Sequence, residues 1–121
     1  MADWAISPTE QTDWTLEPDD FARALEERFP GAVINRTERA NRLLEFTAPL
    51  DGGATAEGYL AMDQKGIWVD GPVEGAAELA AWLRERTPES QELALYDQSL
   101  EVMIPLKPGV TAADIVAAAQ R

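Results

Sequence analysis

Apolar positions in the first third of the chain recur at helical spacing and predict a helix from about Pro18 to Arg28. The stripe consists of Phe21, Ala22, Leu25 and Phe29. Pro18 suits the first helical position, where its missing N–H leaves no hydrogen bond unmade. Pro30 and Gly31 follow the stripe and are typical of a helix end.

Two later segments show the same periodicity and predict two further helices. The first runs from about Val73 to Arg86. Its stripe consists of Ala76, Leu79, Ala80 and Leu83. The second begins after Thr111, whose hydroxyl is suited to cap a helix, and Asp114 stands at the acidic position of a capping box. Each predicted helix therefore has one apolar face to bury.

Short stretches rich in leucine, β-branched and aromatic residues predict the strands. These are residues 32–35, 43–48, 56–62, 67–70, 93–96 and 100–105. Connections such as Asp51-Gly52-Gly53 are tight-turn signals, so consecutive strands should pair antiparallel. The predicted fold is α+β, a mostly antiparallel sheet of about six strands with three helices packed on one face, in the order α-β-β-β-β-α-β-β-α.

The first 13 residues lack a hydrophobic period and predict a flexible N-terminal lead. They are polar and acidic and include Pro8, although Trp4 and Ile6 could dock onto the body of the protein or onto a partner. Residues 14–121 are predicted to form a single α+β domain, because a chain of 121 residues suits one hydrophobic core.

Side chains alternate between the two faces of a sheet, and the predicted strands give these faces different characters. One set is uniformly apolar and should face the helices: Leu44, Phe46, Leu60, Met62, Ile67, Val69, Leu93, Leu95, Leu100, Val102 and Ile104. The opposite set mixes acids with large apolar side chains. The latter are the predicted partner-binding residues: Leu43, Tyr59, Trp68, Tyr96 and Met103.

Aromatic residues and methionine are enriched in the centres of protein–protein interfaces, so this second face predicts a surface for a protein partner or for a second copy of the chain. The alternative is an ordinary antiparallel sheet, on which single exposed apolar residues are common and aromatic cross-strand pairs add stability. A contiguous patch would favour the interface.

Trp82 and three arginines are secondary candidates. Trp82 stands at the edge of the second helical stripe, where it could anchor a partner or, more commonly, cover the edge of the core. Arg36, Arg39 and Arg42 could bind an acidic peptide or a phosphate. In a chain with this many carboxylates, surface ion pairs are the stronger prediction for them.

The composition removes the commonest nucleophile–base pairs of enzymes, although carboxylates alone can support catalysis. The chain has no cysteine and no histidine, which excludes disulfides, the usual zinc ligands, cysteine nucleophiles and histidine bases. No P-loop, dinucleotide fingerprint or nucleophile elbow is present. Asp63, Asp70 and Asp97 lie near predicted strand ends, but their spacing matches no EF-hand loop. We therefore expect no catalytic residue, no metal site and no cofactor.

The acidic balance bears on the class of partner. A net charge of −12 repels nucleic acid and anionic membranes and favours cationic partners, although an acidic surface also simply keeps a protein soluble. The sequence contains neither an apolar run long enough for a membrane helix nor the pattern of a signal peptide, and the expected location is the cytoplasm.

The order of elements, the small size and the acidic charge over residues 15–120 resemble the type III secretion chaperones. That resemblance implies a dimeric cytoplasmic protein that holds partly unfolded proteins on its surface. Stretches 82–84, 95–99 and 105–111 resemble small actinobacterial proteins, a group that implies no particular function. Size and charge are also similar to those of acidic immunity proteins, which neutralise basic toxins.

The leading hypothesis from the sequence is a non-enzymatic protein-binding module of chaperone, adaptor or immunity type, with a basic or partly unfolded protein, or a second copy of the chain, as its partner. The alternatives are a small-ligand-binding protein or carboxylate-dependent enzyme with a pocket between helices and sheet, and a structural domain of a larger complex.

Overall fold

The computed structural model describes residues 3–37 and 42–120. Its elements, in chain order, are β1 (Trp4–Pro8), α1 (Pro18–Arg28), β2 (Val33–Arg36), β3 (Arg42–Pro49), β4 (Thr55–Ala61), β5 (Ile67–Asp70), α2 (Val73–Arg86), β6 (Leu93–Asp97), β7 (Met103–Leu106) and α3 (Ala112–Ala119). The strands form one antiparallel sheet in the order β2-β3-β4-β5-β1-β6-β7.

The predicted α+β architecture is confirmed, with seven strands in the described residues instead of about six. Helices α1 and α2 have the predicted bounds, because their start and end signals are local. Helix α3 begins with the predicted capping box, in which the Thr111 hydroxyl accepts the Asp114 backbone N–H and the Asp114 carboxylate accepts the Thr111 N–H, both at 3.1 Å.

The seventh strand is β1, which lies in the N-terminal segment predicted from its sequence pattern to be a flexible lead. β1 pairs with β5 on one side and with β6 on the other. Ile6 is fully buried, opposite both Ile67 and Leu95. The sequence did not reveal β1 because its five residues are too few for their alternation to be recognised within an acidic stretch. The strands that pair with β1 also lie some 60 to 90 positions away in the sequence.

The helices and the inward face of the sheet bury one continuous apolar cluster. Fully buried members come from all three helices described and from β1, β3, β4, β5 and β6: Ile6, Leu25, Leu44, Leu60, Ile67, Val69, Leu79, Leu95 and Ile115. Trp82 belongs to this core, 7% exposed, and its ring centroid lies 5.9 Å from that of Phe21 and 5.8 Å from that of Phe29. Of the two roles considered for Trp82, the structure shows the core role.

Two residues predicted to face the helices are exposed instead. Met62 lies just beyond the end of β4 and is 42% exposed. Leu100 has a φ of 62°, is 73% exposed, and precedes β7, which begins at Met103 and not at residue 100. The Asp97 carboxylate accepts the Val102 backbone N–H at 3.0 Å and closes a longer connection than the predicted two-residue turn, so strand alternation does not apply to Leu100.

Candidate protein-binding face

The face of the sheet that the helices leave uncovered carries a continuous row of directly paired residues, which we call the outer row. Each member is the cross-strand partner of the next, across all seven strands that the structure describes. From β2 to β7 the members are Asn35, Glu45, Tyr59, Trp68, Ala5, Tyr96 and Met103. Four of the five predicted partner-binding residues are therefore brought into one line.

The outer row is apolar and aromatic over its central and β7 portions. The rings of Tyr59 and Trp68 are stacked, with centroids 6.3 Å apart and planes 16° apart. Ala5 lies between Trp68 and Tyr96 and is 7% exposed. Both tyrosines and Trp68 are half-buried, whereas Met103, on the edge strand, is 53% exposed. Ala5 therefore separates Trp68 from Tyr96 along the row.

Leu43, the fifth predicted residue, does not belong to the row. The register of β3 against β4 shifts between Arg42 and Leu44, so Leu43 is the extra residue of a β-bulge. Leu43 packs against the core cluster and lines a depression beside Pro18 on α1. The bulge breaks the alternation from which its outward position was predicted.

Arg42 occupies the outward position that alternation assigned to Leu43, and its guanidinium contacts other residues of the same face. Its guanidinium carbon lies 4.1 Å from the centroid of the Tyr59 ring. Its Nη1 donates to the Glu45 carboxylate at 2.7 Å. The same face thus binds a guanidinium between an aromatic ring and a carboxylate, an arrangement that combines cation–π attraction with a charge-assisted hydrogen bond.

A pair of acidic side chains lies beside the aromatic part of the outer row. Glu57 pairs with Asp70 across β4 and β5, two residues along each strand from Tyr59 and Trp68. Both carboxylates are exposed, and in residues 3–37 and 42–120 neither has an ion-pair partner. Together with Glu45 they line a polar depression of about 330 Å³ on this face.

A second depression, of about 510 Å³, lies at the β7 end of the molecule. Met103, the last member of the outer row, and three carboxylates, those of Glu10, Glu89 and Glu92, are among its lining residues. Arg84 also lines it, but this side chain is 3% exposed and has a structural role.

The Arg84 guanidinium donates to the carbonyls of Thr87, Pro88, Gln91 and Leu106. These contacts join the end of α2 to the start of β6 and to β7, and burial lowers the pKa of Arg84. The space between helices and sheet, where the alternative hypothesis places a pocket, is occupied by fully buried side chains.

The remaining candidates from the sequence are accounted for by local contacts. Arg36 forms an ion pair with Asp19, and Arg42 pairs with Glu45, while Arg39 lies outside the described residues.

In the part of the chain that the structure describes, no group of three or more Asp or Glu side chains is arranged to hold a metal ion. The hydrogen bond from Val102 N–H, with further ones from Ser99 and neighbouring backbone, lowers the pKa of Asp97.

Ala5 and Arg42 are among the members of the face that were missed in the sequence, and Asn35 and Glu57 lie in predicted strands but were not assigned to this face. Ala5 was missed with the whole of β1, for which the alternation of Trp4 and Ile6 was the only available signal. Arg42 was assigned to a turn, since a bulge has no reliable signature in a single sequence.

Comparison with protein-family models, with curated proteins and with solved structures finds no significant match for this chain. The longest described helix, α2, has 14 residues, and none of the described helices has both the length and the apolar character needed to cross a bilayer.

Proposed function

We propose that this protein is a non-enzymatic protein-binding module whose binding surface is the uncovered face of the sheet. The observation that carries the proposal is the alignment of Tyr59, Trp68, Tyr96 and Met103 in one cross-strand row. Rigid aromatic side chains lose little conformational entropy on binding and dominate the energetic centres of interfaces. Glu57 and Asp70, on the same strands as Tyr59 and Trp68, add acids that would form a polar rim on one side of such a centre.

The dimensions of the row support a macromolecular partner. Seven described strands at about 4.8 Å spacing extend the row over about 29 Å. This length is comparable with the side of a square of about 800 Å², the area that one partner contributes to a typical stable interface. A small ligand would contact only part of this surface.

The test is affinity capture from extract of the source cell, followed by measurement of binding between the two purified proteins. Trp68→Ala and Tyr96→Ala should each weaken that binding by about tenfold or more, because each truncates an aromatic group at the centre of the row. Met62→Ala is the matched control, because Met62 is an exposed apolar residue outside the row.

Circular dichroism must show that both aromatic variants remain folded. A purified partner whose affinity is unchanged by both substitutions, or reduced equally by Met62→Ala, would remove the basis of the proposal. Light scattering on the purified protein tests whether the same face mediates self-association. If the partner is a second copy of the chain, Trp68→Ala should abolish that self-association.

A further inference from the structure

We infer that the occupant of the uncovered face is a basic segment of another protein, with an arginine or lysine side chain held against Trp68 and beside Glu57 and Asp70. This inference rests on the proposed function and specifies the chemistry of the partner. It draws on three observations: the charge of the face, the way the face binds its own arginine, and the charge of the whole chain.

The first observation is uncompensated negative charge next to an aromatic surface. Glu57 and Asp70 are adjacent across β4 and β5, exposed, and without an ion-pair partner among the described residues. Trp68 lies two residues before Asp70 on β5, and its ring stacks against that of Tyr59. A cation placed there would gain attraction from both carboxylates and from the indole ring, which is the strongest cation–π acceptor among side chains.

The second observation is that Arg42 already shows this mode of binding within the chain. Its guanidinium lies over Tyr59 and donates to Glu45, with both contacts formed on the uncovered face. Trp68 and Asp70 also place a ring and a carboxylate on this face, here two residues apart on the same strand, β5, instead of directly opposite each other as Tyr59 and Glu45 are. An arginine from a partner would extend the series by one position toward the centre of the sheet.

The third observation disfavours a second copy of the chain as the occupant. Each copy has a net charge of −12 and would bring its own Glu57 and Asp70 toward those of the other. Juxtaposed like charges oppose association, whereas a basic segment neutralises them and is steered toward the face by the field of the whole molecule.

The experiment uses calorimetric titration of the full chain with short synthetic peptides of alternating arginine and serine. Matched peptides carry glutamine or glutamate in place of arginine. We expect the arginine peptide to bind at least about tenfold more tightly than the glutamine peptide, and its affinity to fall as salt is raised. In a spectrum of the ¹⁵N-labelled protein, the indole N–H of Trp68 should shift on binding.

Three variants separate the contributions. Glu57→Gln combined with Asp70→Asn removes the two carboxylates, and Trp68→Leu removes the ring while keeping an apolar side chain. Each of these two variants should lower the affinity for the arginine peptide by about fivefold to tenfold. The matched control combines Glu26→Gln with Glu27→Gln, which removes two exposed carboxylates from α1 and leaves the sheet intact. This control should change the affinity by less than about twofold, because α1 packs on the other side of the sheet and salt screens charges that do not contact the peptide.

The outcomes distinguish this inference from the proposed function. Equal weakening by the α1 control would show general charge attraction and overturn the inference. Equal binding of the arginine and glutamine peptides, with both lost in Trp68→Leu, would overturn it while leaving the proposed function intact. Absence of binding by any peptide at millimolar concentration would also overturn it, and self-association abolished by Trp68→Leu would identify a second copy as the occupant instead.

Discussion

Gly58 lies in close contact with β5, the strand that carries Trp68 of the outer row. It lies on β4 with its missing side chain directed inward, opposite Phe46 on β3 and Val69 on β5. A Cβ built at Gly58 would lie 2.2 Å from the Trp68 carbonyl oxygen and 2.8 Å from Cζ of Phe46. Only glycine allows β5 and the Phe46 ring to approach this closely.

Gly58→Ala should therefore lower the free energy of unfolding by about 1–3 kcal/mol, the usual range for overpacking a well-packed site. The measurement is urea denaturation, monitored by tryptophan fluorescence. Gly52→Ala is the control, since a Cβ at Gly52 meets nothing within 4 Å, and it should change stability by less than about 0.5 kcal/mol. Equal stability of the two variants would contradict the tight contact at Gly58.

The sequence predicted the outward side chains of β4, β5 and β6 correctly, because regular alternation holds in those strands. It failed at Leu43 and Arg42, because one extra residue in β3 reverses the faces on its far side. The same kind of failure placed Leu100 in a strand, although its backbone is in the left-handed region. Residue-scale predictions of this kind depend on backbone irregularities that side-chain pattern does not encode.

At the scale of elements, the β6–β7 hairpin carries the end of the outer row, Tyr96 and Met103. Its connection is closed by Asp97, whose carboxylate accepts the Val102 N–H at 3.0 Å and the Ser99 hydroxyl at 2.8 Å. These hydrogen bonds favour the ionised carboxylate and lower its pKa below the ordinary value of 3.8. The hairpin is thus held by a charged group, and its stability should depend on pH.

Asp97→Asn should destabilise the protein at pH 7, because the amide accepts weaker hydrogen bonds than the carboxylate does. The folded pKa is lower than the unfolded one, so the contribution of Asp97 is fully present above about pH 4 and is lost as the pH falls through the folded pKa. The difference in urea midpoint between wild type and Asp97→Asn should accordingly shrink as the pH is lowered from 7 to 2.

The control for this experiment is Asp13→Asn, which removes one exposed carboxylate away from the hairpin. A midpoint difference for Asp97→Asn that stays constant with pH, or that Asp13→Asn reproduces, would argue against the hydrogen-bonded carboxylate as its source.

At the scale of the whole molecule, β1 joins the two parts of the sheet. It is the strand between β5 and β6, so without it the described sheet would separate into β2-β3-β4-β5 and β6-β7. Ile6 contributes a fully buried side chain to the cluster that all three described helices share. The first strand is consequently part of the common core and connects the two groups of outer-row residues.

Ile6→Ala should lower the free energy of unfolding by about 2–5 kcal/mol, through lost burial and the cavity that remains. Because the core is one cluster, far-UV circular dichroism and tryptophan fluorescence should shift together in a single transition. Ser7→Ala, on the opposite face of the same strand, should change stability by less than about 1 kcal/mol. Separate transitions for the two probes, or equal effects of the two substitutions, would contradict this role for β1.

The sequence by itself determined what depends on local pattern and on composition. The bounds of α1 and α2, the capping box of α3, the α+β class and the placement of Tyr59, Trp68 and Tyr96 on one face all follow from the periodicities of helices and strands and from capping chemistry. The exclusion of cysteine and histidine chemistry follows from composition alone.

Only the tertiary structure decided which strands are neighbours, and therefore which outward side chains meet. Pairing of β1 with β5 and β6 joins Trp68 to Tyr96 through Ala5, although the three residues are distant in the chain. The bulge in β3 exchanges Leu43 for Arg42 on that face. Pairing and register arise from hydrogen bonds and burial between remote segments, so the pattern within any one strand does not specify them.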